Sequence, residues 1–221
     1  MPSELVEHDW DLTPKQAVAL QRELRQRLSN TDHLGHVERV AGVDVGFEAQ
    51  GTITRAAVVV LDATTRAPME QAVARLPTRM PYIPGLLSFR EVPAVLEALQ
   101  KLRRPPDLLM CDGHGIAHPR RMGIACHVGL LTGVPSIGVA KSRLTGQHGE
   151  VPEEKGKWVA LKDGQETIGA VLRSRRNVKP IYVSPGHHIS LETALKWTLH
   201  YLTRYRLPET TRAADKLASR K

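Results

Sequence analysis

A chain of 221 residues, 41% hydrophobic and 24% charged, is enough for one globular domain with a full core and short for two. Its formal charge of +8, from 31 Lys and Arg against 23 Asp and Glu, favours an anionic partner such as nucleic acid. The acidic start MPSELVEHDWDL lacks an apolar signal core, no run approaches the ~20 apolar residues of a membrane span, and two cysteines make no disulfide framework, so a soluble, cytoplasmic, non-membrane protein is expected.

Residues 1–12 read as a loose leader. Thr13-Pro14-Lys15-Gln16 then starts a helix: Thr13 caps, Pro14 suits the first turn, and Gln16 completes a capping box. Ala17, Leu20, Leu24 and Leu28 follow at helical spacing. Three strand-like runs come next, Val37 to Phe47, Thr52 to Asp62 and Met69 to Leu76, joined by short links and read as an antiparallel meander. After the Pro/Gly segment Pro81-Tyr82-Ile83-Pro84-Gly85, a helix is expected from about 90 to 102, with Pro93 in its first turn.

Leu108-Leu109-Met110-Cys111 is a fully apolar strand ending at Asp112, and Pro119 is read as opening a helix to about 132. Ser136 to Ala140 is a second buried strand, so strand, helix and strand imply a parallel crossover. A hairpin over 157–172 with Asp163-Gly164 at its turn, a short strand Ile181 to Ser184, a helix capped by Ser190 and a terminal helix from Pro208 complete the chain. The last residues, ADKLASRK, are expected to fray.

No internal repeat or linker is visible, so one domain over 1–221 is expected, flexible at 1–12 and 212–221. The expected class is α/β. A mixed five-stranded sheet, three antiparallel strands then two parallel, with helices on both faces, suggests a ribonuclease H-like core by element order.

Asp44 stands inside a strand whose other face is apolar, where acids are depleted, and Gly42 and Gly46 on its own face would leave space around the carboxylate. Asp112 ends a buried parallel strand, where sites form in open sheets, although Asp-Gly also simply begins turns. Ser88-Phe89-Arg90-Glu91 matches a capping box, but that register would place Pro93 inside the helix. A later start frees Glu91 to point elsewhere. Three such carboxylates suit magnesium, with manganese as a substitute, rather than zinc. His114 and His118 lie on a Gly/Pro loop that is a poor zinc site.

Lys141 ends a buried strand beside Asp112, where a cation can stabilise phosphate charge, or it is an ordinary surface lysine. His187 precedes a helix start and could touch a phosphate or relay a proton, or be a plain loop histidine. Arg120 and Arg121 at the expected helix start suggest phosphate binding, and Arg173, Arg175, Arg176 and Lys179 form a second basic run.

Five segments taken together resemble the endonuclease V family. They are Gly42 to Phe47, Met80 to Glu91, Asp112 to Arg121, Gly138 to Leu144, and Gly186-His187 ahead of the helix Leu191 to Trp197. The resemblance covers about residues 12 to 210. It implies a ribonuclease H-like fold and a magnesium-dependent nuclease that cuts one nucleotide beyond a deaminated base, chiefly deoxyinosine, on its 3′ side. The products would carry 3′-hydroxyl and 5′-phosphate ends. The family's metal-site acids fall on Asp44, Glu91 and Asp112, with Glu91 acting through water, and further catalytic positions on Lys141 and His187.

The family's strand-separating wedge falls on Pro81, Tyr82, Ile83 and Pro84, where two prolines stiffen the segment and Tyr82 can stack into the gap left by an extruded base. The pocket for that base falls on Gly85, Leu87, Gly113, Gly115 and Ile124. His188 stands where some members carry Arg, so no phosphate contact carries over there. The partner implied is damaged DNA, with inosine-containing RNA as the alternative and no obligate protein partner. A non-catalytic binder of deaminated bases is a further alternative, which the full acid set and Lys141 argue against.

Overall fold

The computed structural model describes residues 6–219. One eight-stranded sheet runs through them. Its strands are β1 (Arg39–Glu48), β2 (Ile53–Asp62), β3 (Pro68–Pro77), β4 (Leu108–Asp112), β5 (Ser136–Ala140), β6 (Trp158–Asp163), β7 (Glu166–Leu172) and β8 (Ile181–His187). Their spatial order is β3-β2-β1-β4-β5-β8-β7-β6. The meander β1-β2-β3 is antiparallel as expected, and β4 lies parallel to both β1 and β5. The helices are α1 (Pro14–Leu24), α2 (Leu87–Gln100), α3 (Ile124–Thr132), α4 (Leu191–Tyr201) and α5 (Glu209–Ala218).

Alternation along the strands assigns the two layers. Ala41, Val43, Leu109 and Cys111 pack with Val92, Val95 and Ala98 of α2 and with Ala125 and Val128 of α3. Val40, Leu108, Met110, Ile137 and Val139 pack on the other face with Ala194 and Leu195 of α4 and Leu217 of α5. Neighbouring residues of one strand thus feed opposite cores, as the period of two requires. Both cysteines are buried and free.

Five expectations change. The sheet has eight strands rather than five because β8 pairs antiparallel with β5 and carries the hairpin β6–β7 with it. Alternation tells which face of a strand is buried, not which edge a hairpin joins, and the open edge of β5 needs a partner.

Helix α2 starts at Leu87, not near 90, with Pro93 inside it and no side-chain cap. Burial of Phe89, Val92, Val95 and Ala98 along one face outweighs the roughly 3 kcal/mol that an interior proline costs. Helix α3 begins at Ile124 after Gly123, so Pro119, Arg120 and Arg121 lie in a turn before it.

The terminal helix runs unbroken to Ala218 because Ala214, Leu217 and Ala218 are buried against the sheet, so no fraying begins at Ala213. Residues 220–221 lie outside the described residues. So do residues 1–5 of the expected leader. The rest of it is packed, with Val6 buried and Trp10 stacked on His127.

Candidate active site at the ends of the central strands

Asp44 and Asp112 become neighbours by strand register. Val43 pairs with Cys111 across the parallel β1–β4 ladder, so the next residue of each strand points to the same face, one strand spacing apart. A third acid arrives from α5. A Cβ on Gly42 would lie 2.0 Å from the carbonyl oxygen of Thr210, and one on Gly46 would lie 2.9 Å from that of Ala218. The space beside Asp44 that those glycines leave is therefore filled by helix backbone, and this close approach brings Asp215 to the site. Carboxylate oxygens of Asp44, Asp112 and Asp215 lie within 4.8 Å of one another.

Glu91 is not part of that trio. It comes from α2 on the opposite layer, is 8% exposed, and lines the same cleft as Asp44 and Asp112. Sequence reasoning missed Asp215. Its segment carries no motif, and its charge looks like the polar face of an amphipathic terminal helix.

The electrostatics are those of crowded acids removed from water. Burial first, then the charge of Asp112, pushes Asp44 up to about 7. Burial, with Asp44 and Asp112 nearby, pushes Glu91 up to about 8. Asp112 is also raised by burial, although Lys141 opposes the shift. Lys141 Nζ lies 2.6 Å from Asp112 Oδ2 and donates to Asp215 Oδ1 at 2.9 Å. The contact with Asp112 is an off-axis ion pair, so that buried oxygen has no aligned hydrogen-bond donor. Lys141 is itself held above the usual lysine range, chiefly by the hydrogen bond and charge of Asp112 against the opposing effect of burial. Repelling carboxylates, a buried oxygen lacking a donor and an all-oxygen ligand set fit a hard divalent cation held by Asp44, Asp112 and Asp215.

Beside the acids is a cavity of about 210 Å³, room for one nucleobase. Gly85, Leu87, Gly113 and Ile124 line it, with Tyr82, Pro84, Ser88, His114, His118, Met122 and Leu144. Gly115 does not. A Cβ there would lie 2.0 Å from the carbonyl oxygen of Pro185, so this glycine permits packing against β8.

The rim is a turn closed by Leu86 N–H donating to the Ile83 carbonyl at 2.9 Å. Pro84 is the second residue and Gly85, at φ 79°, the third, the pattern of a type II turn. Ile83 is packed against the cluster of Met80, Leu86 and Phe89, while Tyr82 is left 67% exposed; Pro81 beside it is also exposed. His118 donates from Nε2 to the Gly85 carbonyl at 3.1 Å, and Arg120 donates to the same carbonyl at 2.8 Å and to Gln21, so both brace this turn.

Other expected contacts do not converge here. Arg121 donates to Glu166 and to Asp163, which occupies its guanidinium with ion pairs. Arg173 is buried among the carbonyls of Val151, Pro152 and Val178. His187 pairs with Ser136 at the far end of β5, three residues along the strand from the level of Asp112, and its Nδ1 accepts the Ser29 N–H. The structure thus brings together Asp44, Asp112, Glu91, Lys141 and Tyr82, and leaves His187 and Arg121 outside.

Comparison with known proteins follows the same outline. Residues 22–216 match the family model for Endonuclease V. The Endonuclease V of Trichormus variabilis is 56% identical over 213 residues, 96% of each chain. The crystal structure of Endonuclease V from Streptomyces avermitilis is 43% identical and superposes with a TM-score of 0.90, covering 96% of this chain and 94% of that one. Endonuclease V of Ciona intestinalis, solved with a 24mer DNA containing an inosine followed by a ribo-adenosine, is 28% identical with a TM-score of 0.80, covering 92% and 95%.

Proposed function

The chain belongs to the endonuclease V family, and from that premise we propose that it nicks DNA on the 3′ side of deoxyinosine and other deaminated bases, at the second phosphodiester bond, in a magnesium-dependent reaction. The observation that carries the reading is the cluster of Asp44, Asp112 and Asp215, tied to Lys141, at the wall of a base-sized cavity. A divalent cation held by the three carboxylates would supply charge opposite the phosphate and lower the pKa of an attacking water.

The chain's own groups do the rest. Lys141 keeps a fixed positive charge beside Asp112, where it can offset charge developing on the phosphoryl oxygens. Glu91, buried and reluctant to ionise, can hold a water at the edge of the cluster and take its proton. Tyr82, projecting from a stiff turn, can stack into the gap left in the duplex, while the cavity receives the extruded base.

No helix of the described residues is long and apolar enough to cross a membrane. The net positive charge of the chain suits a nucleic-acid partner.

The test is cleavage of matched DNA and RNA oligonucleotides carrying one inosine, with magnesium, with manganese and with chelator. We expect a single nick one nucleotide 3′ of the lesion, with 3′-hydroxyl and 5′-phosphate ends, abolished by chelation. Cutting of RNA in preference to DNA would move the substrate class to inosine-containing RNA. Binding without cutting in magnesium would replace the nuclease reading with a damage-binding one.

A further inference from the structure

Ser88, in the first turn of α2, lines the base cavity and is 3% exposed. Behind it runs a hydrogen-bonded chain that leaves the cavity altogether. Ser88 Oγ lies 3.0 Å from Nδ1 of the fully buried His127 on α3, and His127 Nε2 lies 2.7 Å from Nε2 of His8. His8 Nδ1 lies 2.7 Å from the carbonyl oxygen of Asp9.

The proton positions follow from this chain. A carbonyl only accepts, so His8 Nδ1 carries a proton. In the neutral ring its Nε2 is then bare and accepts from His127 Nε2–H. His127 stays neutral because burial depresses it to about 3, so its Nδ1 is bare and accepts from the Ser88 hydroxyl. The Ser88 proton is thus committed away from the cavity, and what its oxygen can offer a bound base is a lone pair.

We propose that Ser88 is a specificity-determining residue that reads the ring N–H of a deaminated base, with His127 and His8 as positioning residues that hold its hydroxyl in the accepting orientation. The chemistry matches the lesion class. Deamination turns the bare ring nitrogen on the pairing edge of adenine or cytosine into an N–H, so an acceptor at that edge favours hypoxanthine or uracil over the parent base. Guanine already carries a ring N–H, so this contact does not reject it. The inference rests on the nuclease reading above and deepens it by naming the atom that distinguishes damaged from undamaged bases.

The test uses the full chain with magnesium and three duplexes that differ only in carrying deoxyinosine, deoxyadenosine or deoxyguanosine at one position, under single-turnover conditions. Ser88→Ala should lower the inosine-to-adenine rate ratio by about tenfold, the worth of one hydrogen bond, and leave the inosine-to-guanine ratio unchanged. His8→Phe keeps the ring contacts to Trp10 and Phe89 but removes the nitrogens, and should shift the first ratio in the same direction. A merely structural role would move both ratios together.

Wild-type cutting at inosine with both ratios unchanged in Ser88→Ala, or with both falling equally, would overturn this inference alone. An inosine-to-adenine ratio unaffected by His8→Phe would overturn the positioning chain. Failure of the wild-type chain to cut at inosine would overturn the nuclease reading and this inference with it.

Discussion

Replacing Asp44 by Asn in the metal-free protein should make it more stable, not less, and increasingly so as pH rises. Asp44 is moved from the ordinary 3.8 to about 7 by burial and by Asp112. Below pH 4 the carboxyl is protonated folded or unfolded and costs nothing. Between pH 4 and 7 the unfolded chain releases the proton and the folded chain keeps it, so stability is lost at ~1.4 kcal/mol per pH unit, and above 7 the loss is constant. The full shift corresponds to about 4 kcal/mol. Because Glu91 and Asp112 titrate with Asp44, the share removed by one substitution is on the order of 2–4 kcal/mol.

Between pH 5 and pH 8 the advantage of Asp44→Asn over wild type should therefore grow by roughly 2 kcal/mol, several degrees in Tm for a chain of this length. The assay is thermal unfolding of both proteins in chelator across that range. Saturating magnesium should narrow or reverse the difference, since it stabilises only the intact cluster. Cleavage by the variant should be lost at every pH. Identical pH dependence of the two proteins in chelator would refute the reasoning, because acids that do not repel one another are not gathered for a cation.

Gly42→Ala should destabilise the fold by about 1–3 kcal/mol in denaturant unfolding and abolish cutting, because its methyl must displace the α5 backbone and Asp215 with it; a neutral result would contradict the close helix–strand approach. Tyr82→Ala should leave Tm unchanged, since the ring is exposed, and weaken preference for inosine before it slows the cutting step; unaltered preference would dispose of the wedge. Arg121→Ala should lower stability by roughly 1–3 kcal/mol through loss of its ties to Glu166 and Asp163, with no change in the salt dependence of DNA binding; a slope shallower by about one would restore it as a phosphate contact.

Local pattern alone determined a good deal about this protein. The Thr13 capping box, the meander, the buried strands ending at Asp112 and Ala140, and the Pro/Gly turn before α2 are all written in residues within a few positions of one another. Asp44 was legible because an acid interrupts an apolar ladder.

What the tertiary structure alone decided depends on contacts between distant segments. The sheet gained three strands because the β5 edge took β8. Asp215 entered the cluster because Gly42 and Gly46, 164 or more positions earlier than the helix backbone they admit, have no side chains. Arg121 and His187 left the site because ion pairs with the β6–β7 hairpin and a strand pairing at Ser136 claimed them. Periodicity records which face of an element is buried; which element buries it is set by packing between surfaces far apart in the chain, and a charge's role follows from that.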